Sequence, residues 1–516
     1  MSARLGEWPL VVFLFAWFFI TAWVRPLMLP DEGRYVGVAW EMLVRHDWVV
    51  PTLDGLPFFH KPPLFYWITA ASIQLFGHGV WAARVAPALG ACLAAWSLHA
   101  LARECKGPVF ARTALVVLLP QPLMFVGGQF ANMDMLVAGF ICATICLSAQ
   151  AALRVDRGEA YRAHLLAAYV CAALGVLAKG LIGALLPFLV VLSWQLLRGR
   201  RRELLSLVSW PGLLLFFAIA VPWFALVQSR HPEFLHAFFV VQHLQRFAQG
   251  GFNNVQPFWF YPVVLALFML PWIGWVVLSS RRAPFPNPEP APLRLLMGLW
   301  ALIVIGFFTL PNSKLIGYVL PALPPLAYLI ADAVTRGRSP SGMAAAERVG
   351  WTVGGLMVGL CVTLFIAIGI VGIHTSREVA LKLRDQRLPA EPVFMVHDYY
   401  YDVPYLAKLT QPVTIVADWN DPALASNDNW QREIADAGAL VPDRADRVLH
   451  SDRQLTADLC RAGTSWIVGA PALAKSMAYL PAAQWTDRRN DVALWRVDAS
   501  APATAAALRC TGGNSR

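Results

Sequence analysis

Residues Leu64–Gly77 read LFYWITAASIQLFG, and whether this stretch crosses a membrane decides the fold of the whole 516-residue chain. It is apolar throughout but only 14 residues long, short of the ~20 that a crossing helix needs. The basic clusters that follow fix its reading. RECKG (Arg103–Gly107), RVDRGEAYR (Arg154–Arg162), RGRRRE (Arg198–Glu203), SSRR (Ser279–Arg282) and TRGRS (Thr335–Ser339) alternate with apolar runs as cytoplasmic loops do. Counting Leu64–Gly77 as a span would put every one of them on the outer face. The stretch therefore reads as a helix lying in the outer interface, with Tyr66 and Trp67 at headgroup level.

With that parity the chain predicts about eleven spans, near 8–25, 80–102, 108–128, 131–151, 162–178, 180–197, 210–229, 257–278, 294–310, 315–332 and 349–373. The composition agrees: 57% hydrophobic, 14% charged, mean hydropathy +0.52, far from a soluble chain of this size. The net charge of +10 belongs to the loop clusters and calls for no nucleic acid. Trp8–Val24 lacks a small-residue cleavage site before Arg25 and Pro26, so it reads as an uncleaved first span.

Past His374 the composition turns polar. EPVFMV, QPVTIVA and SWIVGA are short β-rich runs separated by helix-compatible stretches such as NWQREIADAGAL, predicting a small α/β domain over 374–516 beside a membrane domain over 1–373. Its place outside the membrane suits a bridge between Cys460 and Cys510. Cys92, Cys142, Cys146, Cys171 and Cys361 lie in apolar runs as small hydrophobes.

Four outer segments remain near the membrane, about 26–79, 129–134, 229–256 and 310–318, and charges there are costly enough to suggest function. Asp31 and Glu32 follow Pro30 and suit a helix N-terminus. Asp134 sits in a turn too tight to leave the surface. Lys61, Arg246 and Lys314 stand on the face that positive-inside depletes of cations, and an anion, a phosphate or pyrophosphate, accounts for them. Lys179 fits an outer turn between two spans. Aromatic residues such as Tyr35 suit the interfacial belt or a sugar or lipid groove. His60 and His243 lack ligand spacing and read as hydrogen-bonding groups. Spans this poor in charge fit a transporter less well than a surface group-transfer site.

These segments carry a resemblance. PDEGRY, DWVVPTLDGLPFFHKPPLFYW, NMDM, LGVLAKGLIG, FFVVQHLQRF and KLIGYVLPALPPLA, in this order between about 8 and 335, resemble the bacterial aminoarabinose lipid A transferases (ArnT), within the wider group that includes protein O-mannosyltransferases. The resemblance implies a GT-C glycosyltransferase of the bacterial inner membrane, multi-pass, with active site and C-terminal domain in the periplasm. Its donor would be a sugar on undecaprenyl phosphate and its acceptor a lipid or glycan such as lipid A. It maps acidic site residues onto Asp31 and Asp134, with Glu32 beside them. It maps the donor-phosphate groups onto Lys61, Arg246, Lys314 and Tyr318, with His60, His243 and Tyr35 as additional candidates. Asp31 and Asp134 are also where a divalent cation would sit, the one cofactor this reading leaves open. The chain departs from the pattern at His60 and Gln242, where relatives carry Glu. Two fewer acids leave a neutral sugar open beside a cationic amino sugar. The alternatives are a protein O-mannosyltransferase-like enzyme and a non-enzymatic polyprenyl-phosphate or lipid transporter.

Overall fold

The computed structural model describes residues 8–245, 254–280, 292–336, 340–372, 374–425 and 429–510. Among them seven helices are long and apolar enough to cross a membrane: Ala82–Lys106, Asp134–Asp156, Arg162–Lys179, Trp210–Arg230, Pro292–Thr309, Ile316–Thr335 and Arg348–Val371. The pair Phe260–Phe268 and Leu270–Val277, bent by 73°, makes an eighth if it is one span. The other three expected spans are helical but shorter. Trp8–Phe19 has 12 residues, Ile182–Leu197 has 16, and 108–128 divides into Pro108–Leu118 and Pro122–Gly127. Pro120 and Pro122 account for that division, since proline removes a backbone donor and clashes with the preceding turn.

The bundle is held by close helix contact. A Cβ added at Gly90 would come within 2.3 Å of the Met135 carbonyl oxygen, and one at Gly139 within 2.3 Å of the Gly90 carbonyl oxygen. Only glycine lets the Ala82–Lys106 and Asp134–Asp156 backbones approach this far, as in small-residue packing between membrane helices. At one end of these helices the loop charges pair among themselves. Arg157 reaches Glu104 at 2.7 Å, Arg294 reaches Asp332 at 3.0 Å, and Arg198 pairs with Asp156.

The opposite end carries the predicted site segments. Asp31–Arg45 is a helix preceded by Pro30, and its first turn holds Asp31 and Glu32 as expected. A two-strand hairpin follows, β1 (Thr52–Leu53) with β2 (Leu56–Pro57), tied to the helix by Glu41, which accepts from Thr52 Oγ1 at 2.7 Å and the Gly55 amide at 3.0 Å. Leu64–Phe76 is then a 13-residue helix, too short to cross, in keeping with the parity argument.

The C-terminal part forms a six-stranded sheet from β3 (Val393–Val396), β4 (Thr414–Val416), β5 (Leu449–His450), β6 (Thr464–Gly469), β7 (Trp485–Asp487) and β8 (Val492–Asp498), in the order 5-4-3-6-8-7. β5, β4, β3 and β6 run parallel, as helix-separated strands should, while β7 and β8 add antiparallel. Cys460 and Cys510 are disulfide-bonded. The sheet domain sits directly on the Asp31 helix. Trp40 donates to the Leu409 carbonyl at 2.8 Å, and the Val413 amide donates to Asp54 at 2.9 Å. A Cβ at Gly33 would meet the Asp402 amide nitrogen at 2.8 Å, so this contact too requires glycine.

Candidate functional site

Successive residues on a helix point in different directions, and at the start of the Asp31 helix this separates two carboxylates completely. Glu32 turns inward and is fully buried. Arg84 reaches it at 2.9 Å and 3.0 Å, Arg25 at 3.1 Å and by a second shorter contact, and the amides of Met28 and Ala131 donate at 2.9 Å and 2.8 Å. Burial alone would raise its pKa, but the two guanidiniums hold it down to about 2. Glu32, expected among the reacting groups, is placed with its oxygens spent on joining the first span, the Asp134 turn and the Ala82–Lys106 helix.

Asp31 turns outward and keeps 35% of its side chain exposed. Arg34, one turn on and on the same face, donates to it at 2.7 Å and with its other terminal nitrogen to Glu433 at 2.5 Å. Glu433 comes from the C-terminal domain, in the first turn of helix Trp430–Ala439, which is capped by the Asn429 side chain. The guanidinium lies over the rings of Tyr35 and Tyr401, 5.5 Å and 5.3 Å from their centroids. His60 Nδ1 stands 3.7 Å from Glu433, and the Tyr401 hydroxyl donates to Glu433 at 3.4 Å. Burial pushes the Asp31 carboxyl above the usual carboxylate range; Arg34 opposes the rise, and the charges of Asp134 and Glu433 add to it. Two carboxylates sharing one guanidinium, with a third close by, make an array in which Asp31 can accept a proton.

Asp134 is the first residue of its helix and nearly buried. Lys179 pairs with it, Asn132 donates to it at 3.3 Å, and the Lys179 ammonium lies 4.4 Å from the centre of the Tyr318 ring. The expected Asp134 and Tyr318 are thus brought together by a lysine that closes the next helix, Arg162–Lys179. Lys61 is half-buried, three residues before the Leu64–Phe76 helix. Lys314 is buried and donates to the Gln256 carbonyl at 2.8 Å. Arg246 lies outside the described residues, and of His243 only the backbone, in the π-helix His236–Gln245, is described. Among the described residues no group of three or more His, Cys, Asp or Glu is placed to hold a metal ion. Asp31 and Asp134 each already face a cation, so the divalent ion considered for them does not fit this arrangement.

Sequence reasoning missed Arg34 and Glu433. Arg34 could have been found from its i,i+3 spacing to Asp31. Glu433 lies about 400 residues away in the chain, and no local pattern marks it.

A polytopic helical bundle with a polar array at one end and an α/β domain over it is the GT-C architecture. The chain aligns with the crystal structure of ArnT from Cupriavidus metallidurans bound to undecaprenyl phosphate at TM-score 0.79 and 23% identity, over 95% of this chain and 98% of that one. The archaeal oligosaccharyltransferase AglB from Archaeoglobus fulgidus is a more distant likeness, with TM-score 0.51 and 13% identity over 91% of this chain and 70% of that one. Residues 60–225 match the family model of dolichyl-phosphate-mannose-protein mannosyltransferase. The undecaprenyl phosphate-alpha-4-amino-4-deoxy-L-arabinose arabinosyl transferase of Edwardsiella ictaluri is 31% identical over 400 residues, 77% of this chain and 68% of that protein. The enzyme of the same name from Aeromonas hydrophila is 31% identical over 63% of this chain, and the match spans 59% of its own length. The chain belongs to this aminoarabinosyl transferase family.

Proposed function

We propose that this chain is a glycosyltransferase of the bacterial inner membrane that moves a sugar from undecaprenyl phosphate to an acceptor in the periplasm, lipid A or a related envelope glycolipid. The observation that carries the reading is the polar array of Asp31, Arg34, Glu433, Asp134 and Lys179 at one end of an apolar bundle, beside Lys61 and the short Leu64–Phe76 helix. Membership in the aminoarabinosyl transferase family supports the donor, and the loop charges gathered at the far end support the periplasmic orientation.

In this mechanism Lys61 and Arg246 hold the donor phosphate and Tyr318 adds a hydrogen bond, stabilising charge on the phosphate oxygen as the C1–O bond breaks. The acceptor oxygen attacks C1 from the opposite face, so the sugar is transferred with inversion and undecaprenyl phosphate leaves. A hydroxyl acceptor would give its proton to Asp31, whose raised pKa suits a base. A phosphate acceptor is already anionic, and Asp31 then orients it. Lys179 fixes Asp134 and Lys314 holds the Gln256 segment, both supporting the site.

A second reading keeps the chemistry but changes the substrates to a neutral hexose and a protein hydroxyl. The mannosyltransferase family match and the absence of a carboxylate at His60 and Gln242 favour it. The test is transfer by the purified full chain in detergent from radiolabelled polyprenyl-phosphate sugars. The proposal requires turnover without a membrane barrier, lost in Lys61→Ala while the protein stays folded. Binding without turnover would leave a transporter, and undiminished turnover in Lys61→Ala would remove the lysine from the mechanism.

A further inference from the structure

Where the first and last membrane helices leave the bundle beside the C-terminal domain, they border a cleft of about 570 Å³. One wall is the end of the first span, Trp23 to Pro26. A second is the end of the last span, Gly369 to Gly372, and the third is β7 with the turn that follows it, Trp485 to Asn490. This turn is fixed to the membrane helix. Asn490 donates to the Gly372 carbonyl at 2.9 Å, and Arg489 donates to the Val371 carbonyl, capping the helix C-terminus. Within the turn, Asp487 is occupied by the amides of Arg489 and Asn490 at 3.0 Å and 3.3 Å and by the Asn490 side chain at 2.7 Å.

The charges around the cleft do not balance. Arg25 on its floor belongs to the clamp in which two guanidiniums share the single carboxylate of Glu32, leaving one positive charge without a carboxylate. Arg377 has Glu378 at only 3.9 Å, and both are exposed. Arg488 is exposed and has no side-chain partner among the described residues. The lip on the membrane side is apolar: Trp23 is 66% exposed and Ile370 77%. Exposed guanidiniums above exposed apolar side chains, at a span end where positive-inside disfavours cations, match an amphiphile with an anionic head. A free phosphate would use the arginines and leave the lip unexplained.

We propose that this cleft binds the phosphate headgroup of an anionic lipid of the surrounding leaflet. Arg488 and Arg377 take the phosphate oxygens, and Trp23 and Ile370 lie against its chains. The site is separate from the transfer array and does not depend on the activity proposed above. The experiment is native mass spectrometry of the full chain released from micelles containing equal phosphatidylglycerol and phosphatidylcholine. Wild type should retain phosphatidylglycerol in preference by roughly tenfold, because its headgroup keeps a net negative charge beside the two arginines whereas the choline of phosphatidylcholine cancels it. R377E/R488E should abolish that preference, and Trp23→Ala should weaken retention of either lipid, each with unchanged thermal stability because the altered side chains are exposed. Equal retention of the two lipids by wild type, or a preference surviving in R377E/R488E, overturns the proposal. Displacement of phosphatidylglycerol by millimolar inorganic phosphate overturns the assignment to a lipid in favour of a small-anion site.

Discussion

Asp31 and Glu32 are neighbours in sequence and belong to opposite kinds of region. Beneath the helix, Glu32 lies in a closed clamp where two arginines and two amides use up its oxygens. Above it, Asp31 lies in an open array where one arginine is divided between two carboxylates and the Asp31 side chain stays partly exposed. A saturated buried pair contributes rigidity and can do no chemistry, because it has no free lone pair and no incentive to change protonation state. A half-saturated, half-exposed carboxylate is what a transfer site needs.

Breaking the clamp should have the largest effect. Glu32→Gln leaves Arg25 and Arg84 buried without a counter-charge, a loss of about 3–5 kcal/mol. The variant should show a collapse of folded protein in detergent by fluorescence-detected size exclusion. A normal elution profile and melting temperature would mean the clamp is not structural. Asp31→Asn should do the reverse, cutting transfer by about 10²–10⁴-fold for a hydroxyl acceptor, the range for loss of a general base, while the melting temperature stays near wild type. A Asp31→Asn protein that unfolds would erase the distinction between the two regions. Glu433→Gln is milder. It leaves Arg34 to Asp31 alone and loosens one domain contact, so kcat/KM should fall about tenfold, equivalent to one charge-assisted hydrogen bond. Unchanged kcat/KM would take the C-terminal domain out of the site.

The same comparison explains what could be read in advance. Helices, strands and the shortness of Leu64–Phe76 follow from local periodicity and length, and so did the parity that puts Asp31, Lys61, Asp134 and Lys314 at one end. The direction in which Asp31 and Glu32 face was not legible, because both suit a helix N-terminus equally and only the positions of Arg84 and Glu433, far along the chain, tell them apart. Lys314 stood on the right face for an anion, and one of its three ammonium donors goes to the Gln256 carbonyl, a contact that composition does not reveal. The expected span over 108–128 divides into two helices because apolarity does not register the breaks at Pro120 and Pro122.

Asp402 sharpens the contrast through pH. Like Glu32 it is fully buried, but its partners are neutral: the Ser376 amide at 2.8 Å and the Thr375 hydroxyl at 2.9 Å, with its second oxygen unpartnered. Without a cation, burial wins, and its pKa is pushed up to about 6. The two groups then give opposite linkage. Glu32, lowered, contributes stability above its unfolded pKa that is lost as pH falls toward about 2. Asp402, raised, contributes most where it is protonated, below its unfolded pKa near 3.8, and that contribution is lost as pH rises through about 6. The loss is on the order of 3 kcal/mol by pH 7. Asp402→Asn keeps an acceptor oxygen for Ser376 and Thr375 and carries no charge at any pH. Its melting temperature relative to wild type should therefore rise between pH 4 and pH 7 and level off beyond. A difference that stays flat across this range would show that Asp402 is charged in the folded protein throughout, and that burial without a cation does not separate it from Glu32.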